Sequence, residues 1–277
     1  MNRHDAHTPG NATIDLETVE RALATLAEPA PPMLAHDALA AVGLADDYAT
    51  IDSPIGPLRV AWNGRGVSAV DGARDDRAFE HAFLARTGRR AVRREALPSR
   101  LARAIERRLA GDRRARIELD LRGTTEFEQA VWLKALEIPR GEVRPYGWIA
   151  AEIGRPRAVR AVGTALGHNP IPLIVPCHRV VRSDGLLGQY SLGGPQNKRA
   201  ILAAEGLDPD EFESYARAGI RYLASDTTRI YCLPTCHNAR RITPAHRVGF
   251  RSAAASEAAG YRACRECRPT GAAFAAA

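Results

Sequence analysis

The sequence predicts a mixed α/β protein that continues into a helical segment and ends in a small module held together by four cysteines. Short runs of alternating polar and apolar residues begin at Tyr48, and the Pro and Gly residues between them indicate a small antiparallel sheet. Apolar residues at helical spacing begin near Asp76, and four of the five cysteines fall in two close pairs. Because 277 residues exceed a comfortable single core, we expect two or three compact units.

The composition argues against a membrane or secreted protein. No stretch approaches the apolar length that a membrane span needs, so we expect no contact with a membrane. Residues 1–17 lack the apolar core of a secretory signal. We therefore expect a cytoplasmic location, where reducing conditions disfavour disulfides.

The positive charge of the chain is concentrated in two segments. Residues 47–123 hold seventeen arginines against eleven acidic residues (+6), and residues 218–277 hold nine against three (+6), within a net charge of +7. Such basic segments attract polyanions, including nucleic acids. The twelve arginines of residues 86–116 are equally typical of a solvated helix face, so charge alone leaves both readings open.

Residues 1–46 read as an appendage of unknown role, with one amphipathic helix before a Pro-rich break at residues 29–32. The apolar positions of this helix are Leu16, Val19, Leu23 and Leu26. After the sheet, a helix is predicted over residues 76–86. Another is marked by Leu97, Leu101, Ile105 and Leu109.

A capping signal at Thr125 predicts the next helix, whose apolar positions are Phe127, Val131, Leu133 and Leu136. Two short helices follow, from Tyr146 and from Arg157, and together they resemble a helix-turn-helix pair. The second has small side chains and no acidic residue, which would allow close approach to DNA. A packed core helix would show the same small residues.

Cys177 follows a buried apolar run at residues 171–175 and precedes His178. A lone cysteine in such a place is usually a small buried hydrophobic residue. A thiol becomes a nucleophile as its thiolate, however, and a neighbouring histidine oriented by a carboxylate can generate one. Adjacent residues on an extended strand point to opposite faces, so this pairing requires a bend or a bridging water.

The motif PCHRVV at residues 176–181, preceded by NPIPLIV and followed by GLLGQYSLGG and AAEG, resembles the O6-alkylguanine-DNA alkyltransferase family. The resemblance covers about residues 48–210. It implies a ribonuclease-H-like small sheet domain over residues 47–123 and a winged-helix-like alkyltransferase domain over residues 124–213. The second domain would read DNA from the minor groove.

The resemblance also implies the residues of the reaction, which transfers the alkyl group of O6-alkylguanine, or of O4-alkylthymine, to the protein. Cys177 matches the alkyl acceptor, and His178 matches a base that acts through water with Glu205 behind it. Asn169 matches the residue that braces the active-site turn, and Tyr146 matches a donor to the flipped base. The reaction needs no cofactor. Because no second thiol adjoins Cys177, each molecule should react once as a methylated-DNA–protein-cysteine methyltransferase.

Three further residues match DNA-binding positions of the family. Ser191 matches a donor to the flipped base, Tyr190 lies beside it, and Arg160 resembles the arginine that fills the space left in the helix. Two other classes remain as alternatives. A DNA-damage sensor would bind lesions without transfer, and a cysteine hydrolase would need an oxyanion hole and a distant histidine, neither of which is visible.

The other four cysteines predict a site for one zinc ion. Cys232, Cys236, Cys264 and Cys267 are spaced C-x3-C, twenty-seven residues, C-x2-C, which favours tetrahedral zinc over disulfides or free thiols. His237 and His246 are weaker ligand candidates. Some sixty residues cannot support much core, so we expect loss of the metal to unfold only this module.

The sequence segments around these cysteines, SDTTRIYCLPTC and AAGYRACRECRP, resemble the zinc-binding methyl-acceptor module of the Ada family over residues 218–270. The resemblance implies that Cys232 accepts a methyl group from a DNA phosphotriester. The alternative is a purely structural zinc module. The module stands last and no segment matches the accompanying transcription unit, so we expect no transcriptional role. Arg229 also replaces an expected small residue.

Together these features predict a direct-reversal DNA-repair protein, monomeric and nucleoid-associated. Its partner would be double-stranded DNA that contains alkylated guanine or methylphosphotriesters. The sequence leaves open the range of alkyl groups, the role of residues 1–46, and whether both modules act on one DNA molecule.

Overall fold

A computed structural model describes residues 15–25 and 30–269, which divide into a unit that ends at residue 38 and a unit that begins at residue 39. The first unit contains α1 (Leu16–Thr25) and the start of α2 (Leu34–Ala41). The predicted apolar stripe of α1 is solvent-exposed, at 73% for Leu16 and 60% for Leu23. Leu26 and part of the Pro-rich break lie outside the described residues.

The second unit begins with a four-stranded sheet. Strands β1 (Asp46–Ile51), β2 (Leu58–Asn63) and β3 (Gly66–Asp71) are antiparallel, as the alternating pattern predicts. A fourth strand, β4 (Ala91–Arg93), pairs in parallel with β1 to give the order β3-β2-β1-β4. Helix α3 (Asp76–Thr87) covers one face with Phe79 and Phe83, which pack against Tyr48.

Many arginines of the basic segment serve the structure of this sheet domain. Arg89 forms an ion pair with the buried Asp46 at 2.6 Å, and Arg94 pairs with Asp47 at 2.6 Å. On α4 (Ser99–Leu109), Arg107 reaches Asp112 at 2.5 Å. These pairs favour the solvated and structural reading of the arginine-rich stretch over a DNA-binding one.

Helix α5 (Glu126–Ala135) begins with the predicted cap. The Thr125 hydroxyl accepts the Glu128 amide at 3.2 Å, and the Glu128 carboxylate accepts the Thr125 amide at 3.0 Å. Val131 and Trp132 are buried, whereas Leu133, a predicted apolar position, is 52% exposed. The helix therefore presents a narrower apolar face than its sequence suggests.

We expect Thr125→Ala to destabilise the protein by about 1 kcal/mol, because the Glu128 amide loses the hydroxyl that caps it. Denaturant-induced unfolding measures this change. The neighbouring Thr124→Ala provides a comparison that leaves the capping box intact. Equal stability of Thr125→Ala and wild type would contradict the role of the cap.

The predicted helix pair consists of α6 (Tyr146–Glu152) and α7 (Val159–Gly167). A short parallel ribbon joins β5 (Arg144–Pro145) to β6 (Val180–Val181), so the start of α6 lies beside the chain that follows Cys177. Helices α8 (Gly194–Ala204) and α9 (Pro209–Arg217) complete this part of the molecule.

A second four-stranded sheet, with the order β10-β8-β7-β9, forms the end of the described chain. Its strands are β7 (Tyr222–Ser225), β8 (Ile230–Cys232), β9 (Arg247–Phe250) and β10 (Arg262–Ala263), with the short helices α10 (His237–Arg240) and α11 (Ala253–Ala258). Across residues 15–25 and 30–269, no helix is both long and apolar enough to cross a membrane.

Candidate active site

Cys177 lies in a single 3₁₀ turn, Cys177–Arg179, between the apolar run and β6. The turn is closed by the Cys177 amide, which donates to the Val175 carbonyl at 2.8 Å, and by the Arg179 amide, which donates to the Pro176 carbonyl at 2.9 Å. This is the bend that the sequence requires. Cys177 and His178 therefore need not point to opposite faces of a strand.

Asn169 holds this turn from one side. Its Nδ2 donates to the Val175 carbonyl at 3.1 Å and to Cys177 Sγ at 3.1 Å, while its Oδ1 accepts the Ile171 amide at 3.0 Å. Asn169 is 7% exposed, so each of these contacts is sheltered from water. The side chain thus fixes both the backbone of the turn and the position of the sulfur.

Glu205, at the end of α8, joins the two residues that follow Cys177. Its Oε1 lies 3.0 Å from His178 Nε2, and Arg179 donates to the same carboxylate at 2.6 Å and 2.9 Å. His178 Nδ1 is buried and has no hydrogen-bond partner within residues 15–25 and 30–269. The imidazole is therefore oriented at Nε2 and available at Nδ1.

Burial sets the protonation states of this group. It raises the pKa of the Cys177 thiol and lowers the pKa of His178, so near neutral pH both groups are uncharged. Burial therefore disfavours the thiolate that the sequence predicts as the nucleophile, and this thiolate has to be generated at the site. Burial alone would raise the pKa of Glu205, but the hydrogen bonds from His178 and Arg179 and the positive charge of Arg179 outweigh it and lower this pKa to about 2.

This depressed pKa predicts acid sensitivity. Because Glu205 ionises more readily in the folded state than at its ordinary pKa of 4.5, its stabilisation is present above pH 4.5 and is lost as the pH falls to about 2. The loss could reach about 3 kcal/mol. We expect denaturant midpoints of Glu205→Gln, measured from pH 7 to pH 2.5, to fall less steeply than those of wild type. Parallel profiles would contradict this.

The candidates for contact with DNA and the flipped base differ in their exposure to solvent. Tyr190 is buried, its ring 6.1 Å from that of His178, and burial together with Cys177 raises its pKa. Tyr146 is half-buried at the start of α6, whereas Ser191 and Arg160 are exposed. Cys177 itself is 6% exposed. A cleft of about 720 Å³ is lined in part by Asn169 and Ser191, and Cys177 is not among the residues that line it.

Sequence reasoning missed Lys198. Its ammonium is almost completely buried on α8 and donates to the Val180 carbonyl at 2.6 Å and to the Gln189 carbonyl at 3.4 Å. It thereby ties the chain after Cys177 to the loop before Ser191. Burial lowers its pKa to about 8, although Cys177 counteracts this. The sequence did contain a signal for the special role of this residue, because Lys198 is one of only two lysines in an arginine-rich chain.

The four remaining cysteines come together as predicted. The sulfurs of Cys232, Cys236, Cys264 and Cys267 all lie within 4.8 Å of one another, and all four residues are buried. Four zinc–sulfur bonds of about 2.3 Å in a tetrahedron place sulfurs about 3.8 Å apart, which this cluster can accommodate. The cluster fits one zinc ion.

The two histidines proposed as weaker ligands lie outside this cluster. His246 Nδ1 pairs with Asp226 at 3.0 Å, and His237 groups with Glu142 and one cysteine only. Arg229 adopts a left-handed backbone (φ 55°), and its guanidinium lies 5.1 Å from the Tyr261 ring centroid. This residue therefore has a structural contact of its own in the module.

A cavity of about 490 Å³ adjoins the cysteine cluster. Cys232 and Cys264 contribute to its wall, together with Arg241, Arg262 and Arg265. Glu266 also lines this cavity, and the three guanidinium groups are donors there that could hydrogen-bond to a phosphate. The cavity is separate from the cleft beside Asn169.

Known proteins resemble two consecutive parts of the chain. A family model described as "6-O-methylguanine DNA methyltransferase, DNA binding domain" matches residues 126–207, and one described as "Metal binding domain of Ada" matches residues 213–270. The methylated-DNA–protein-cysteine methyltransferase of Mycobacterium tuberculosis (strain ATCC 25618 / H37Rv) is 44% identical over 163 residues, covering 57% of this chain and 91% of that protein.

An archaeal protein of the same name, from Methanosarcina acetivorans, is 38% identical over 160 residues, which cover 57% of this chain and 97% of that protein. A crystal structure of M. tuberculosis OGT in complex with DNA is 40% identical and covers 60% of this chain and 98% of that chain, with a TM-score of 0.46.

Proposed function

The chain belongs to the methylated-DNA–protein-cysteine methyltransferase family, which repairs DNA by alkyl transfer to cysteine. We propose that Cys177 is the residue of this chain that accepts the alkyl group of O6-alkylguanine. The observation that carries the proposal is the arrangement at the turn. A thiol held by Asn169 adjoins a histidine that is oriented by Glu205 and has a free Nδ1.

The proposed reaction is a single displacement. Sulfur bonds to the alkyl carbon while the bond from that carbon to O6 breaks, and the thiol proton passes through a water to His178 Nδ1. Burial keeps the imidazole neutral, so Nδ1 can accept a proton, and the hydrogen bond and charge of Glu205 favour the imidazolium that results. The Tyr146 hydroxyl donates its proton to the departing guanine, and the proton held by His178 returns through water to the Tyr146 oxygen, so that overall one proton moves from sulfur to the base. The thioether product is stable, which makes the reaction stoichiometric.

We further infer that the protein binds double-stranded DNA through α6 and α7, with the damaged base flipped toward Cys177. Arg155, Arg157 and Arg160 are exposed around α7, which suits contacts to phosphates. Arg160 would occupy the space of the flipped base. Ser191 and Tyr190 would line the pocket for the base, beside the cleft that Asn169 borders.

The finer architecture is also part of the proposal. We assign residues 47–123 to a ribonuclease-H-like domain, 124–213 to a winged-helix-like domain and 218–270 to the zinc module, with residues 1–46 as an appendage. The mixed sheet of β1 to β4 and the pair α6–α7 support this division. We expect a cytoplasmic monomer that associates with the nucleoid through DNA.

We propose Cys232 as a second acceptor, for the methyl group of a DNA methylphosphotriester. Zinc bound by the four cysteines would keep the Cys232 sulfur ionised and nucleophilic. The arginine-lined cavity beside Cys232 suits a DNA backbone. In the competing reading the protein senses lesions and the zinc module is structural, a reading favoured by the 1% exposure of Cys232.

Mass spectrometry of the digested protein distinguishes these functions. After reaction with an O6-methylguanine duplex, we expect one added methyl group on the peptide that contains Cys177. After reaction with a methylphosphotriester duplex, we expect it on the peptide that contains Cys232. Unmodified protein that still binds the lesion would establish the sensing function instead.

A further inference from the structure

The loop between the first two zinc ligands is hydrogen-bonded to the alkyltransferase part of the chain. The buried Thr235 hydroxyl accepts the Val143 amide at 2.9 Å and donates to the Val143 carbonyl at 3.3 Å. The His237 amide, next to the ligand Cys236, donates to Glu142 at 3.0 Å. The backbone on either side of Cys236 is therefore tied to residues 142–143.

The second pair of zinc ligands contacts the same region. Trp148 Nε1 donates to the Cys267 carbonyl at 3.0 Å, and the guanidinium of Arg268 lies 5.5 Å from the Trp148 ring centroid. Arg268 also pairs with Glu152 at 2.9 Å. Residues beside both pairs of zinc ligands thus contact one stretch of chain, residues 141–148. We call this stretch the bridging segment.

The other side of the bridging segment supports the acceptor turn. The Gly141 amide donates to Glu205 Oε2 at 3.2 Å, on the same carboxylate that orients His178. Arg144 and Pro145 form β5, which pairs with β6 directly after the turn. Tyr146, the proposed proton donor, is the next residue. The bridging segment is therefore in contact with the zinc module and also with Glu205 and the strand after Cys177.

The bridging segment depends on these contacts because it is buried. Glu142 and Arg144 are each 3% exposed and form an ion pair at 2.6 Å, while Glu142 also accepts the His237 amide. A buried amide or carboxylate that loses its partner is costly, so the segment would rearrange rather than leave such groups unpaired. Gly141, Val143 and Tyr146 would move with it.

We infer that the zinc-bound module positions the Cys177 site through the bridging segment, with Thr235 and Glu142 as positioning residues. The inference rests on the proposed function of Cys177. It differs from the expectation that loss of zinc unfolds the last sixty residues alone. Rapid alkyl transfer to Cys177 therefore requires that the module has bound zinc.

Removal of zinc from the full chain tests the physical link without reference to activity. After chelation, we expect the amides of Gly141 and Val143 to exchange their hydrogens faster, along with those of the zinc module. The amides of β1 and β2, which do not contact the bridging segment, serve as the internal control. Unchanged protection of Gly141 and Val143 in zinc-free protein would overturn the inference.

Thr235 allows a conservative test of positioning. Thr235→Val keeps the shape but lacks the hydroxyl, whereas Thr235→Ser retains it. We expect Thr235→Val to lower the maximal single-turnover rate of methyl transfer to Cys177 roughly tenfold, in line with small misplacements of reacting groups. The duplex concentration for half-maximal rate should stay unchanged, and Thr235→Ser should restore the rate.

Tyr231→Phe is the matched control, because it removes a hydrogen bond to Glu257 that lies within the zinc module. Should Thr235→Val fail to fold, Trp148→Phe removes the bond to the Cys267 carbonyl and should give the same slower rate. Wild-type rates in Thr235→Val or Trp148→Phe would overturn the inference. If wild-type protein itself leaves Cys177 unmodified, the proposed function fails instead.

Discussion

Cys177→Ala is expected to abolish methyl transfer from an O6-methylguanine duplex, with a loss of at least roughly 10³-fold, because no other group at the turn can act as the nucleophile. The remaining four cysteines are gathered in the zinc cluster. Cys177→Ser should also be inactive, since a hydroxyl is far harder to deprotonate than a thiol. Quantitative mass spectrometry of the Cys177 peptide measures the transfer.

The same variant supplies its own control. Cys177→Ala should still accept a methyl group at Cys232 from a methylphosphotriester duplex, and Cys232→Ala should still be methylated at Cys177, although more slowly if zinc is lost. Removal of the methyl group from an O6-methylguanine duplex by Cys177→Ala at the wild-type rate would contradict the assignment of the acceptor.

Asn169→Ala is expected to cause the second large effect. It leaves the buried Ile171 amide without its partner, removes one of the two donors to the Val175 carbonyl and frees the Cys177 sulfur. We expect a loss of about 2–4 kcal/mol in unfolding free energy, and transfer slowed by roughly 10²-fold, because the turn no longer holds its shape. Chemical denaturation and single-turnover kinetics measure the two losses.

Gln129→Ala is the comparison for Asn169→Ala. Gln129 also donates to backbone carbonyls, at 3.4 Å to Thr124 and 3.5 Å to Leu121, and these partners are outside the turn. It should lose some stability and keep its rate of transfer. If Asn169→Ala lost stability yet reacted at the wild-type rate, the asparagine would have no role in positioning the sulfur.

Features encoded by neighbouring residues could be predicted from the sequence. The helix starts at Thr125 and Tyr146 depend on local capping and spacing, and both are where the pattern places them. The spacing of the cysteine pairs likewise identified the cluster without any knowledge of its sheet. The need for a bend or a bridging water at Cys177 followed from strand geometry alone, and the structure has a 3₁₀ turn there.

Features that depend on distant contacts could not be predicted. Strand β4 has only three residues among arginines and is defined by its pairing with β1. The role of Lys198 depends on carbonyl groups eighteen and nine residues away in sequence. The contact between Thr235 and Val143 joins residues that are ninety-two positions apart. No local pattern marks such partners.

Leu173, just before the acceptor cysteine, has a left-handed backbone with φ 73°. A branched side chain there costs about 1–2 kcal/mol relative to the usual conformation, whereas glycine would adopt it freely. Yet Leu173 is 4% exposed, and removal of a buried leucine side chain costs about 2–5 kcal/mol. Tight packing outweighs the torsional penalty. The conformation of the loop before the thiol thus depends on the side chains packed against Leu173. If this packing were lost, the loop would adopt another conformation.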